Sequence, residues 1–304
     1  MTIEIVGPEV EDRLDWIALT EAIEAGHRLP RAEVADTILR RGADTLLTRS
    51  AWIDGLGLAV KAASIFPGNV RRGIPAISGA VNLLSDATGE LEALVDFRLV
   101  TKWKTAGDSL LAARRLARKE ARSILIVGAG AVAHTLVEAY SAGFAGARFT
   151  IWARNPDAAR AFAEETGARP VADLAAAVGG ADIICCATMA TEPLIRGAWL
   201  RPGSHLDLIG AYRPDMREAD SDCLRRARVF CDSRATTVHH IGEFIAPLAE
   251  GAITEADIVA DYYDLASGAF ARRSDDEITL CKNGGGAHLD LMTARYILGV
   301  ARGA

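Results

Sequence analysis

The stretch SILIVGAGAVAHTLVEAYSAG, residues 123–143, decides how this chain is read. A short apolar run rich in isoleucine and valine stops at Gly128, and an alanine-rich segment of helical composition follows at once. A buried strand therefore turns directly into a helix. Within it, Gly128-Ala129-Gly130-Ala131-Val132-Ala133 fits the pattern G-x-G-x-x-A in the strand–turn–helix context that gives the pattern meaning. Gly128 permits the tight turn, Gly130 lets the backbone approach a pyrophosphate, and Ala133 lets the helix pack closely on the sheet. The N–H groups that open the helix, at Ala131 and Val132, offer donors and a partial positive charge to phosphates. The turn reads as a dinucleotide site; a glycine turn made only for packing is the plainer alternative.

The alternation continues downstream. RFTIWA (148–153) reads as a strand and PDAARAFAEETG (156–167) as a helix, and ADIICCAT (181–188), SHLDLIG (204–210) and ARVFCD (227–232) supply further strands. Strands alternating with helices imply a doubly wound, Rossmann-type parallel sheet in an α/β protein. Upstream the character differs. Residues 11–27 have helical spacing, and 46–95 form β-prone runs separated by turn chemistry, with Asp86-Ala87-Thr88-Gly89 as a hairpin turn. This predicts an antiparallel meander, followed by a long helix over 97–119 and, after the glycines at 284–286, a final helix over 287–301. At 304 residues, two domains are expected.

The net charge of −6 leaves no basic surplus for a nucleic-acid partner, and an anionic substrate must be held by locally placed cations. Five cysteines without a C-x-x-C pair read as reduced thiols, with Cys185 and Cys186 on opposite faces of a strand. The N-terminus lacks the basic flank and apolar core of a signal peptide, and no apolar run approaches the ~20 residues of a membrane span. A soluble, cytoplasmic protein is expected.

The second Rossmann strand ends Trp152-Ala153-Arg154-Asn155. An NAD-specific site carries a carboxylate here to accept from the ribose hydroxyls, whereas a guanidinium suits a 2′-phosphate. Arg154 and Asn155 are thus assigned to the cofactor, and NADP(H) is expected over NAD(H); a solvated surface arginine is the alternative. In the first half, Lys61 sits inside an apolar strand, where burial without a partner costs several kcal/mol, so it is expected to face an anion. Lys104 lies on the long helix, with a surface pair to Asp108 as its plainer reading. Arg49 is placed at the end of the first meander strand, with an exposed turn as its alternative. His205 reads as structural, and the adjacent His239 and His240 lack metal-ligand spacing, so no metal is expected.

With these residues in view, the chain resembles the ornithine cyclodeaminase/mu-crystallin family. The likeness runs through VKAASIFPGN (60–69), TKWKTAGDSLLAA (101–113), GAGAVA (128–133), CAT (186–188), PGSHLDLIGAYRPDMRE (202–218) and NGGGAHLD (283–290), in the family's order. It implies a substrate-binding and dimerisation domain of residues 1–120 plus 285–304, a Rossmann domain of 121–284, a homodimer, and an active site in the cleft. It implies that Lys61 contacts a substrate carboxylate. Lys104 stands where the family has arginine in R-T-A, which keeps the charge but loses bidentate geometry. The family also supplies an arginine before the first meander strand, a role open to Arg40 or Arg41. Thr188 is left between cofactor contact and strand-end capping, and His288 and Asp290 between the cleft and capping of the last helix.

Within the family, cyclodeaminases resemble G-G-D-x-P-G-K where this chain has Gly210-Ala211-Tyr212-Arg213-Pro214-Asp215-Met216. Tyr212 replaces the aspartate, and a phenol with a pKa near ~10 is a poor base at neutral pH. G-A-x-R-P-D instead resembles the ketimine reductase branch. That resemblance implies hydride transfer to the C=N carbon of a cyclic imino acid, Δ1-pyrroline-2-carboxylate or Δ1-piperideine-2-carboxylate, giving L-proline or L-pipecolate. An alanine dehydrogenase-like or acyclic imino-acid reductase, a cyclodeaminase and a non-enzymatic nucleotide binder stand as alternatives.

Overall fold

A computed structural model describes residues 3–303. The chain divides into two compact units, one running to Lys104 and resuming at Gly286, the other spanning Thr105–Gly285.

The first unit contains β1 (Glu4–Val6), α1 (Trp16–Gly26), β2 (Glu33–Arg41), β3 (Asp44–Ile53), β4 (Gly57–Ile65), β5 (Ile77–Leu84) and β6 (Leu91–Asp96). They form one sheet in the order β1-β6-β5-β4-β3-β2, with β1 parallel to β6 and the remaining neighbours antiparallel. The β5–β6 turn closes at Asp86–Gly89, where Ser85 N–H donates to the Glu90 carbonyl at 2.9 Å. The C-terminal helix (Ala287–Arg302) packs on this sheet and against α1. Alternation explains the packing: in β4 the buried positions are Gly57, Ala59, Lys61 and Ala63.

Three expectations change here. The helix proposed over 11–27 is a 3-10 turn at Pro8–Arg13 followed by α1, because the Asp15 side chain accepts from Ala18 N–H at 2.8 Å and so starts the helix afresh. The segment before the meander is itself a nine-residue strand, β2, whose residues are all exposed, so no burial pattern marks it. Arg49 lies inside β3 rather than at its end.

The long helix α2 (Phe97–Leu116) leads into the second unit. There follow β7 (Ser123–Val127), α3 (Ala131–Gly143), β8 (Arg148–Trp152), α4 (Pro156–Thr166), β9 (Arg169–Pro170), α5 (Leu174–Gly180) and β10 (Ile183–Cys186). Next come β11 (His205–Leu208), α6 (Ser221–Arg226), β12 (Arg228–Cys231), α7 (Arg234–Thr237), α8 (Gly242–Ala249), β13 (Ile258–Ala260) and β14 (Thr279–Lys282). All eight strands are parallel, in the order β13-β12-β14-β11-β10-β7-β8-β9. From β7 the chain moves outward to β8, then returns to add β10 on the other side. The β7/β10 boundary is therefore the switch point at which such sheets open a crevice beyond the strand ends.

The central strands are buried on both faces, as parallel strands covered by helices must be. One face carries Leu125, Val127, Ile184, Cys186, Leu206, Leu208 and Leu280. The other carries a polar thread: Tyr140 and Ser109 hydroxyls meet at 3.0 Å, and Ser109 and Asn283 both donate to Asp207, whose carboxyl burial pushes up to about 6. All five cysteines are free and buried. Among the described residues no helix is long and apolar enough to cross a membrane, and no group of three metal-ligating side chains occurs.

His205 is fully buried, with Nδ1 2.9 Å from the Thr279 hydroxyl, and burial followed by the Arg272 charge lowers it to about 3. A histidine held neutral in the fold contributes stability in full above its unfolded pKa and loses it as pH falls toward the folded value. Urea titration should find that the stability lost between pH ~6.5 and ~4 shrinks by about 2–3 kcal/mol in His205→Asn. An unchanged loss would show that the imidazole is already protonated in the folded protein.

Candidate functional site

In the first unit, strand register builds a charged row across the sheet. Asp36 on β2 lies opposite Arg49 on β3, Arg49 opposite Lys61 on β4, and Lys61 opposite Val81 on β5, which in turn faces Val95 on β6. Arg49 donates to Asp36 through Nε at 3.0 Å. Lys61 is 7% exposed and flanked on its face by Ala59 and Ala63, which leave room for its stem. Its ammonium donates to Asp290 Oδ1 at 2.8 Å and to the Thr101 hydroxyl at 2.8 Å, and stands 4.8 Å from the Phe97 ring centroid. The Thr101 hydroxyl in turn donates to the Phe97 carbonyl at 2.7 Å. An ammonium has three N–H donors, so one is left over.

The electrostatics are those of a cation-rich neighbourhood. Burial lowers the Lys61 pKa; Asp290 opposes this, while Lys104 and Arg49 add to it. Burial alone would raise Asp290, but Lys61, Lys104 and Arg49 hold it below the usual carboxylate range. Asp290 Oδ2 is buried and accepts no hydrogen bond. His288 is driven well down by burial and then by neighbouring His27, Lys104, Arg49 and Arg31. His27 and His288 meet edge to face at 5.4 Å between ring centroids. Arg31, which precedes β2, adds its charge to the lowering of both histidines. Arg40 and Arg41 stand at the end of β2, where Arg41 pairs with Asp44 at 3.2 Å.

The anion expected beside Lys61 is supplied by the chain itself. The C-terminal helix begins at Ala287 with Gly286 as its N-cap and no side-chain cap, so capping does not account for Asp290 or His288. The only sequence signal was a lone acid in the apolar run AHLDLM.

In the second unit, Gly128 follows β7 with φ +106°, and a Cβ there would lie 2.6 Å from the Ala187 carbonyl oxygen, so only glycine fits. Gly130 is the N-cap of α3, has no side-chain cap, and faces open space. The first N–H groups of α3, including those of Ala131 and half-exposed Val132, lack intrahelical partners. An uncapped helix start at the switch point fits a dinucleotide pyrophosphate. Arg154, just beyond β8, is exposed and makes no hydrogen bond or ion pair among the described residues. Asn155 differs: its side-chain oxygen caps α4 by accepting from Asp157 N–H at 3.0 Å.

Thr188, after β10, is committed in a way neither sequence reading foresaw. Its N–H and its hydroxyl both donate to Glu218 Oε1, each at 2.7 Å. Tyr212 is exposed, and Asp215 is tied by both oxygens to Arg213 at 2.8 and 2.9 Å. His205 is interior, and His239 lies 3.3 Å from Glu255 on the surface.

The ornithine cyclodeaminase/mu-crystallin family model matches residues 49–303. The chain is 51% identical over 298 residues to a Δ1-pyrroline-2-carboxylate reductase of Paracoccus denitrificans, covering 96% of this chain and 94% of that one. The structure of Thermococcus litoralis Δ1-pyrroline-2-carboxylate reductase in complex with NADH and L-proline superposes with a TM-score of 0.88 at 27% identity, covering 99% and 98% of the two chains. An archaeal alanine dehydrogenase dimer with bound NAD gives a TM-score of 0.88 at 25% identity, covering 100% and 97%. With a buried lysine among cations in one unit and an uncapped G-x-G-x-x-A turn in the other, the chain belongs to the ornithine cyclodeaminase/mu-crystallin family.

Proposed function

We propose that the chain reduces Δ1-pyrroline-2-carboxylate, or its six-membered relative Δ1-piperideine-2-carboxylate, to L-proline or L-pipecolate at the expense of NAD(P)H. The observation that carries this reading is Lys61, a buried ammonium with one donor to spare beside Lys104 and Arg49. An excess of positive charge over Asp290 and Asp36 suits a small carboxylate.

A bound reduced nicotinamide supplies the hydride. Gly128, Gly130, Ala131 and Val132 would hold its pyrophosphate, with Thr188 beside them. Lys61 binds the substrate carboxylate through its remaining N–H, with Lys104, Arg49 and Arg31 adding charge. Asp290 and Thr101 fix the direction of that N–H, so the carboxylate is oriented on arrival rather than by rearrangement. Asp290 Oδ2, buried and without a hydrogen-bond partner among the described residues, would accept from the substrate nitrogen once it carries a proton. A cyclodeaminase reading is disfavoured because Tyr212 is a poor base and Asp215 is occupied by Arg213. The likeness to an alanine dehydrogenase keeps an acyclic imino acid as the second reading.

Loss of reduced-nicotinamide absorbance decides between them: turnover is expected with Δ1-pyrroline-2-carboxylate and not with pyruvate plus ammonia. Lys61→Ala should lower kcat/KM at least ~10²-fold through lost charge and orientation. Near-normal kinetics in that variant would remove Lys61 from the site.

Exposed Arg154, with no carboxylate among residues 152–155 at the end of β8, supports NADP(H) over NAD(H). Arg154→Ala is expected to raise the KM for NADPH about tenfold while leaving NADH nearly unchanged. Equal effects on the two would assign Arg154 no part in the choice.

The edge strand β2 supports a homodimer. Val34, Ile38 and Leu39 are 39%, 53% and 61% exposed on an unpaired edge nine residues long, and such edges are covered in stable assemblies. Leu39→Glu should convert a dimer to a monomer in sedimentation velocity; a dimer that survives it would place the interface elsewhere. The five buried free cysteines support a reducing, cytoplasmic setting.

A further inference from the structure

We propose that Glu218 is a positioning residue for the cofactor, holding the ends of β10 and β11 in the shape that the nicotinamide half of the dinucleotide requires. This rests on the reading that the Gly128 turn takes a nicotinamide dinucleotide.

Glu218 is fully buried, in the loop that follows the G-A-x-R-P-D segment. One carboxylate oxygen accepts from the Thr188 N–H and hydroxyl, each at 2.7 Å; the other accepts from Gly210 N–H at 2.8 Å and Ala211 N–H at 3.2 Å. Its main-chain carbonyl accepts from Leu194 and Ile195 N–H at 2.8 and 3.0 Å. A single residue therefore fastens both the segment that leaves β10 and the turn that leaves β11. Glu218 is itself seated: the Glu243 carboxylate accepts from Glu218 and Ala219 N–H, both at 2.9 Å.

The chain of contact reaches the phosphate-binding turn. A Cβ on Gly128 would sit 2.6 Å from the Ala187 carbonyl and 3.1 Å from Thr188 Cγ2, so the turn lies against the residues that Glu218 holds. A Cβ on Gly210 would lie 2.2 Å from the Thr188 carbonyl oxygen and 2.5 Å from Glu218 Oε1, so the whole assembly closes only around glycine.

Packing alone does not call for a carboxylate here. Burial pushes Glu218 up to about 7, with Lys282 drawing it down and Glu243 adding to the rise. An apolar side chain would avoid that cost. What it could not do is accept four donors at once at the mouth of the switch-point crevice. Glutamine is the discriminating substitution: it keeps the volume but turns one acceptor oxygen into a donor facing other donors.

Titration of the full-length protein with NADH, followed by nicotinamide fluorescence, tests this without needing the imine. Glu218→Gln should weaken NADH binding about tenfold, the scale of lost hydrogen bonds to a charged group. In turnover, the cofactor KM should rise by a similar factor while the imino-acid KM stays within about twofold. Thr188→Val should weaken NADH about threefold, and the double variant should be no worse than Glu218→Gln alone, because both act through one contact. An unchanged NADH affinity in Glu218→Gln, or equal rises in both KM values, would overturn the inference while leaving the cofactor reading intact. If Glu218→Gln yields no folded protein, Thr188→Val decides by the same titration, unchanged affinity again overturning it. Wild-type protein that binds neither NADH nor NADPH would sink this inference and the cofactor reading together.

Discussion

The first unit depends on the ion pair between Lys61 and Asp290, 2.8 Å apart and buried. An ammonium placed between two alanines on the covered face of a sheet must find a counter-charge, or burial costs several kcal/mol. That counter-charge comes from 229 residues away, on the C-terminal helix. The unit is discontinuous, and the ion pair joins its two stretches of chain. Asp290 neutralises the buried ammonium, and removing either partner would strand the other's charge away from water. On the proposed reading, Lys104 and the third N–H of Lys61 are what a substrate carboxylate would meet.

The second unit solves a different problem with the same chemistry. Loops leaving parallel strands carry N–H groups that no neighbouring strand can satisfy. Buried carboxylates take them up: Glu218 for Thr188, Gly210 and Ala211, Glu243 for Glu218 and Ala219, and Asp232 for Ser233, Gly284 and Gly285. Burial raises all three acids, the expense of keeping charge away from water. In return, loops at the strand ends are held by fixed acceptors rather than by mobile water, so their shape exists before any ligand arrives.

Most of the second unit was legible because its signals are local. The run SILIV, the glycines at 128 and 130 and the helix that follows lie within one turn of chain, and their meaning needs no distant partner. The same holds for the hairpin at Asp86–Gly89 and for Lys61, whose charge is conspicuous in an apolar strand. Strand β2 escaped because it is an edge strand: every residue of it is exposed in the single chain, so burial imposed no alternation on it. Arg49 was noticed for its charge, but its place directly across from Lys61 is a matter of register.

The amino-acid sequence by itself determined the two kinds of sheet, the glycine turn between β7 and α3 and the charge of Lys61 inside an apolar strand, because each is written in the spacing of near neighbours. Only the tertiary structure decided that Asp290 closes on Lys61, that His27 and His288 meet edge to face, and that Thr188 donates to Glu218. These are pairings between residues far apart in the chain. Charge and hydrogen bonding act through distance in space, which a one-dimensional pattern does not carry.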